Sequence, residues 1–298
     1  MSNHHTNQIL VPVDFSEQSL IAIDQSYTLA REYNAEITLL YVIEDSNNLF
    51  KFFSKEQDEG MKKEIQIQLD KVADDVEKKS KRKVNTMIAK GRVYEKVSEI
   101  AEEINAVFII MGTSGGSSSA LKKKFIGSNA LRVVRESKVP VISIKGKNHR
   151  AGCKNIVLPL DLTKETKEKV TKAIELAKVF GGSTVRVVSV LFTTDEFIVN
   201  RLTRQLAQVK SFIEKSDVKC TAEIIKGIKG EETLAQNVID YAKKVEADLI
   251  MIMTQQETDF TEFFIGSSAQ EMIQNSEIPV LSIVPTPKKD TISPIRPY

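Results

Sequence analysis

The stretch 107–128, VFIIMGTSGGSSSALKKKFIGS, decides the fold of this chain. Its first five residues, Val107–Met111, form an apolar run whose length is typical of a strand buried on both faces. Gly112 ends that run, two more glycines and several serines follow, and the pair Gly127 and Ser128 opens a segment with helical periodicity. Glycines let backbone N–H groups approach an anion, and a helix start adds unpaired donors and a positive dipole. The layout therefore predicts a loop that can hold a phosphate.

Strands and helices alternate on both sides of this stretch. The segment ILVPVD at 9–14 predicts a first strand that ends at Asp14, and Ser16 is a suitable N-cap for the helix that follows. Further strands are predicted at 37–43, 84–89 and, after the glycine loop and its helix, 139–144. This alternation predicts an α/β fold with a doubly wound, mostly parallel sheet of five strands.

The second half of the chain repeats the first. ILVPVDFS at 9–16 returns as IVLPLDLT at 156–163, and the segment at 125–144 returns at 264–283 with ten of twenty positions identical. The period is too long for a solenoid, so the repeat indicates an internal duplication. We expect two tandem domains, residues 1–148 and 149–298. Their last strands, 139–144 and 280–284, are expected to pair within the chain and form a pseudo-dimer; a further homodimer stays open.

The amino-acid composition of the chain argues against several classes of function. The net charge of +2 gives no electrostatic reason to expect nucleic acid, and no apolar run is long enough to span a membrane. Cys153 and Cys220 form no CxxC motif, which is typical of a reduced, cytoplasmic protein. The leader MSNHHTNQ has no apolar segment of the kind found in signal peptides. We therefore expect a cytoplasmic protein with neither nucleic acid nor membrane as a partner.

Together these features resemble the universal stress protein family, and specifically a tandem member with two such domains. The resemblance rests on the strand that ends in Asp14, on a loop similar to the family pattern G-x2-G-x9-G-[S/T] after the fourth strand, and on the duplication. It implies Rossmann-like domains similar to the adenine-nucleotide alpha hydrolases. It also implies a role in the stress response and a site for ATP, or else AMP or ADP, with Mg²⁺ able to accompany ATP.

ATP-binding members of the family hold the adenosine near the first two strand ends and the phosphates in the glycine loop. Carried over to this sequence, the cofactor-binding residues are Pro12, Val13, Asp14, Val42, Gly112, Gly115, Gly127 and Ser128. In this assignment Pro12 and Val13 line the adenine side.

Both halves depart from the family pattern. In the first half eleven residues separate Gly115 from Gly127, where the pattern has nine. In the second half Met253 and Gln256 stand where the first has Gly112 and Gly115. Side chains at these two positions are expected to intrude on ribose or phosphate. The sequence therefore predicts one competent nucleotide site, in the first half.

Simpler structural readings remain open for several of these residues. The glycine loop has neither the Gly-Lys-Ser/Thr of a Walker A loop nor the spacing of a dinucleotide fingerprint, and it can be a plain surface connection. Asp14 can cap the next helix instead of facing a ligand. Ser128 and Ser267 are both expected to cap their helices, and anion binding at Ser128 would add to that role. The three lysines at 122–124 are more typical of a solvated face.

The sequence offers little support for catalysis. It contains no Ser/His/Asp or Cys/His set, no zinc-ligand spacing and no metal site, so we expect a protein that is not an enzyme or hydrolyses ATP very slowly with help from Asp14. The second hypothesis is an interaction protein that binds no nucleotide, with the glycine loop and the phenylalanines of 50–53 as its partner surface. A third alternative, adenylyl transfer, rests on fold analogy alone. A protein partner is expected but not identified.

Overall fold

The computed structural model describes residues 6–44, 55–113, 127–146, 152–160, 166–256, 263–264, 266–283 and 285. The elements of the first half are β1 Gln8–Pro12, α1 Glu17–Glu32, β2 Glu36–Ile43, α2 Lys55–Ser80, β3 Val84–Lys90, α3 Val93–Glu103, β4 Ala106–Gly112, α4 Ser128–Glu136 and β5 Val141–Ile144. Those of the second half are β6 Asn155–Pro159, α5 Thr166–Phe180, β7 Thr184–Leu191, α6 Glu196–Glu214, β8 Lys219–Lys226, α7 Leu234–Lys244, β9 Leu249–Met253, β10 Gln255–Gln256, β11 Phe263–Phe264, α8 Ser267–Asn275 and β12 Val280–Ile283.

Ten strands form one continuous sheet in the order β3-β2-β1-β4-β5-β12-β9-β6-β7-β8. Neighbouring strands within each half are parallel. The predicted α/β fold with two doubly wound, five-stranded units is therefore confirmed. Two short strands, β10 and β11, form a separate antiparallel pair that the sequence did not predict.

The two halves join through their last strands. β5 and β12 are antiparallel, and Ile142 lies opposite Leu281 with Ser143 opposite Val280 and Val141 opposite Ser282. This pairing confirms the predicted pseudo-dimer within the chain. It buries two edges that would otherwise present unpaired backbone N–H and C=O groups.

Helices cover both faces of the sheet. Buried residues of α1, α2, α5 and α6 pack on one face, and those of α3, α4, α7 and α8 pack on the other. Each of these two hydrophobic clusters contains residues of both halves, so the core is continuous across the β5–β12 pair. Within the described part of the chain, no helix is long and apolar enough to cross a membrane.

Several features named from the sequence lie outside the described residues. They are the phenylalanines of 50–53 and the lysines at 122–124. Both cysteines are described, and both are buried free thiols.

Candidate functional site

A pocket of about 150 Å³ lies at the carboxyl edge of the sheet in the first half. The ends of β1, β2 and β4 and the first turns of α1, α3 and α4 surround it, which is where open α/β sheets place ligands. Its lining residues are Pro12, Val13, Asp14, Ser16, Ser19, Leu40, Val42, Val93, Met111, Gly112, Thr113, Gly127, Asn129 and Ala130. We call it the first-half pocket. Its volume is below the roughly 300–1,000 Å³ that is typical of sites that hold a whole ligand.

The structure brings together six of the eight residues predicted from the sequence: Pro12, Val13, Asp14, Val42, Gly112 and Gly127. Gly115 lies outside the described residues, and for Ser128 only the backbone, at the start of α4, is described. Sequence reasoning missed as lining residues Ser16, Ser19, Leu40, Val93, Met111, Thr113, Asn129 and Ala130. Leu40 could have been found from strand register, because it lies opposite Pro12 on the neighbouring strand.

Asp14 belongs to a tight turn between β1 and α1. Its Oδ1 accepts a hydrogen bond from the N–H of Ser16 at 3.0 Å, and Ser16 Oγ accepts one from the N–H of Ser19 at 3.3 Å as the N-cap of α1. Phe15 between them has a φ of 58° and stacks on Tyr41. Asp14 therefore stabilises the turn before α1, whereas Ser16 and not Asp14 caps the helix. The exposed Asp14 carboxylate also lines the pocket.

Gly112 is required by helix packing. A Cβ at this position would lie 2.8 Å from the carbonyl carbon and oxygen of Gln18 in α1, closer than real Cβ atoms approach backbone. A side chain at position 112 would therefore meet α1, because the Cβ direction points at that helix. Met253, its counterpart, is a buried member of the core and also lines the equivalent pocket of the second half.

The two ends of the glycine loop are held together. The N–H of Gly127 donates to the carbonyl of Thr113 at 2.8 Å, and Thr113 is itself anchored by its N–H and Oγ1 to the carbonyl of Ile144. These bonds fix the end of β4 beside the start of α4. The residues between them, 114–126, lie outside the described part of the chain.

The start of α4 differs from the prediction. Gly127 is the N-cap and makes no side-chain capping bond, and Ser128 is the first helical residue; Gly266 and Ser267 repeat this arrangement in α8. The expectation that the two serines cap these helices is wrong because each lies one position inside its helix. A glycine cap has no side-chain acceptor, so it leaves N–H donors of the first turn available to an anion.

Helix dipoles add to this electrostatic environment. The N-terminal turns of α1, α3 and α4 all contribute lining residues, and Arg92, the N-cap of α3, also makes no side-chain capping bond. Each helix start carries a partial positive charge. The first-half pocket is therefore suited to a ligand that combines an apolar face with negative charge.

The equivalent pocket of the second half is larger. It encloses about 290 Å³ and is lined by Pro159, Leu160, Lys169, Val188, Val190, Leu234, Val238, Ile252, Met253, Gly266, Ser267, Ser268, Ala269 and Met272. Gln256, the counterpart of Gly115, pairs with Phe263 in the β10–β11 ladder. The backbone at this point is therefore extended and hydrogen-bonded instead of glycine-rich.

No group of three or more His, Cys, Asp or Glu side chains in the described ranges could hold a metal ion.

The comparison with known families decides what the chain is. The sequence profile of the universal stress protein family matches it twice, over residues 5–145 and 152–283. The chain belongs to the universal stress protein family. The two matches cover both halves, so it is a tandem member with two family domains.

Individual relatives agree with this assignment. A universal stress protein of Methanocaldococcus jannaschii is 30% identical over 145 residues, which are 46% of this chain and 81% of that protein. The crystal structure of a universal stress protein from Archaeoglobus fulgidus DSM 4304 matches 96% of this chain and 99% of its own, with a TM-score of 0.75 at 20% identity. The latter likeness shows the shared fold across both halves.

One related structure contains a nucleotide. A universal stress protein from Archaeoglobus fulgidus, solved in complex with dAMP, is 26% identical over 44% of this chain and 97% of its own, with a TM-score of 0.35.

Proposed function

We propose that this protein is a cytoplasmic stress-response regulator that binds ATP, or a related adenine nucleotide, in its first-half pocket. Binding alters the conformation or the partner affinity of the chain, with no turnover or only slow hydrolysis. The domains that carry this function are residues 1–148, which hold the site, and 149–298.

One observation carries the proposal: apolar side chains and the N-terminal turns of three helices line the same pocket. Pro12, Val13 and Val42 supply an apolar wall of the kind that holds a base, and Asp14 places an exposed carboxylate beside it. Gly127 leaves the first turn of α4 without a side-chain cap on the side where the phosphates would lie. Gly115 and Ser128 complete the proposed set.

Mg²⁺ would reach this site together with ATP. Asp14 is the carboxylate that lines the pocket, and one of its oxygens is already used in the turn before α1. Bound ATP would supply the negative charge that the helix starts favour.

The second half is proposed to have lost this function. Its pocket is lined mainly by aliphatic side chains and methionines, and Gln256 lies in a paired strand at the position of a loop glycine. An extended strand lacks the glycine-rich turn that lets successive backbone N–H groups point at a phosphate.

The test is calorimetric titration of ATP with Mg²⁺ into the wild type and two matched variants. Val42 and Val190 occupy equivalent positions in the two pockets, so Val42→Trp and Val190→Trp fill one pocket each. We expect one site per chain, weakened about tenfold or more by Val42→Trp and unchanged by Val190→Trp. Circular dichroism and the melting temperature check that each variant folds.

The other outcomes are equally informative. No binding to the wild type would refute the proposal and favour the alternative of an interaction protein without a nucleotide. Loss of binding in Val190→Trp alone would move the site to the second half. A third variant, Gly115→Gln, copies Gln256 into the loop and is expected to weaken ATP binding. Release of phosphate from labelled ATP measures any turnover.

A further inference from the structure

A second cavity lies between the two halves, on the sheet face covered by α1 and α5. It encloses about 290 Å³, close to the lower end of the range for small-molecule sites. Its floor is formed by the central strands, including Ile142 of β5 and Leu281 of β12, which lie opposite each other at the junction of the halves. Both halves therefore contribute to it, and it is separate from the first-half pocket.

The two halves differ in sequence at positions that line this cavity. Leu249 at the start of β9 lines it, and the equivalent residue of β4 is Phe108. The ring of Phe108 is buried and packs edge-on against Tyr33, with ring centroids 5.0 Å apart. Phe180, the counterpart of Tyr33, lines the cavity instead. Replacing an aromatic ring with leucine removes the side-chain volume that fills the equivalent position in the first half.

The polar part of the cavity wall is acidic. Asp24 and Asp248 both line it, and none of the lining residues that the structure describes is Lys, Arg or His. Asp248 accepts hydrogen bonds from the backbone N–H groups of Lys154 and Asn155, whereas Asp24 is exposed on α1.

The two carboxylates also help to raise the pKa values of neighbouring side chains. Burial raises the pKa of Tyr27 strongly, and the hydrogen bond with Asp24 and the charge of that carboxylate add to the effect. Burial raises the pKa of the Cys153 thiol to about 12, and the charge of Asp248 adds to it. Lys79 also interacts electrostatically with Asp24, but its ammonium is already paired with Asp75 at 2.7 Å. The charged side chains that line the cavity itself are the two carboxylates, which favour a cation over an anion.

We propose that this cavity binds a small apolar molecule that carries a protonated amine. The apolar body packs between Leu176, Leu249 and Leu281, and the ammonium group points to Asp24 at the mouth. Burial of the apolar body supplies most of the affinity, because an ion pair with an exposed carboxylate contributes little. The amine supplies the preference over other head groups.

The probe is octylamine, compared with octanol and octanoate, which share its chain and differ in the head group. Calorimetry is done without nucleotide, so that the result is independent of the proposed ATP site. We expect one octylamine per chain, bound about threefold more tightly than octanol and about tenfold more tightly than octanoate.

Variants locate the probe. Leu249→Phe copies Phe108 into the second half and is expected to weaken octylamine binding about tenfold or more by filling the cavity. If that variant misfolds, Gln25→Trp covers the same cavity from a half-buried position on α1. Asp24→Asn is expected to remove the preference for the amine, whereas the control Asp240→Asn changes an exposed carboxylate on α7 and leaves it intact.

A chemical readout checks the position independently. Octylamine is expected to slow alkylation of Cys153, which lines the cavity, and to leave that of Cys220 in β8 unchanged. Absence of octylamine binding, equal binding of octanol or octanoate, or full affinity in both cavity-filling variants would each overturn the proposal.

Discussion

Replacing Gly112 with alanine is expected to displace α1. The added Cβ would lie 2.8 Å from the backbone of Gln18, and ordinary contact begins at about 3.4 Å, so the helix has to move by about 0.6 Å. Forced overpacking of this kind typically costs about 1–3 kcal/mol. Ser16 and Ser19 of the same helix line the first-half pocket, so the shift is also expected to weaken ATP binding.

The assay is urea unfolding monitored by circular dichroism, with Gly60→Ala as the matched control. Gly60 lies in α2, and a Cβ added there meets nothing within 4 Å. The same change should therefore stabilise the protein by roughly 0.5–1 kcal/mol through helix propensity. Opposite signs for the two glycines would separate steric conflict from the general effect of adding a methyl group.

Two results would refute the reasoning. A Gly112→Ala variant with the urea midpoint of the wild type would show that α1 does not approach β4 as closely as the structure indicates. A variant that is destabilised by the expected amount but binds ATP with unchanged affinity would show that the position of α1 does not control the pocket.

Four further changes test other parts of the structure. Ser16→Ala removes the N-cap acceptor of α1 and should lower the free energy of unfolding by about 1 kcal/mol in urea titrations. Ile142→Asp buries a charge in the β5–β12 pair and should cost several kcal/mol, measured by the same titrations. A hydrogen bond from Asn85 lowers the pKa of Glu36 below its ordinary value of 4.5, so its stabilisation is present above that pH and is lost as the pH falls through the lowered value. Glu36→Gln should therefore lower the urea midpoint at pH 7 and change it little near pH 2. Burial raises the pKa of Cys153 to about 12, so its alkylation rate should still increase about tenfold per pH unit at pH 10, where a solvent-exposed thiol has reached its plateau.

Much of the fold could be predicted from the sequence because its signals are local or repeated. Apolar runs bounded by polar residues predicted the central strands, and the repeated ending, VPVISI and IPVLSI, predicted that β5 and β12 pair. The distance between α1 and β4 could not be read from any local pattern, so the reason for Gly112 was missed. The pairing of β10 with β11 joins short segments without periodicity, which a sequence pattern does not reveal.

The site was predicted in outline for the same reason. Strand ends and glycines mark the carboxyl edge of a parallel sheet, so Pro12, Asp14 and Gly127 were expected to meet there. Leu40 and Met111 were missed because an apolar residue inside a strand looks the same in the sequence whether it lines a pocket or only fills the core. They become recognisable only when the strands are aligned in register.

Fusion of the two halves explains why their sites can differ. In a symmetric homodimer every substitution is present twice, so a change that opens a cavity on one side of the interface opens it on the other. In this chain Phe108 fills one position and Leu249 leaves the equivalent one open, while Gly112 and Met253 give the halves different helix packing. The strands at the junction kept their pairing, and the residues around them were free to diverge. A tandem chain can therefore combine two differently lined pockets and a cavity at the junction within one continuous sheet.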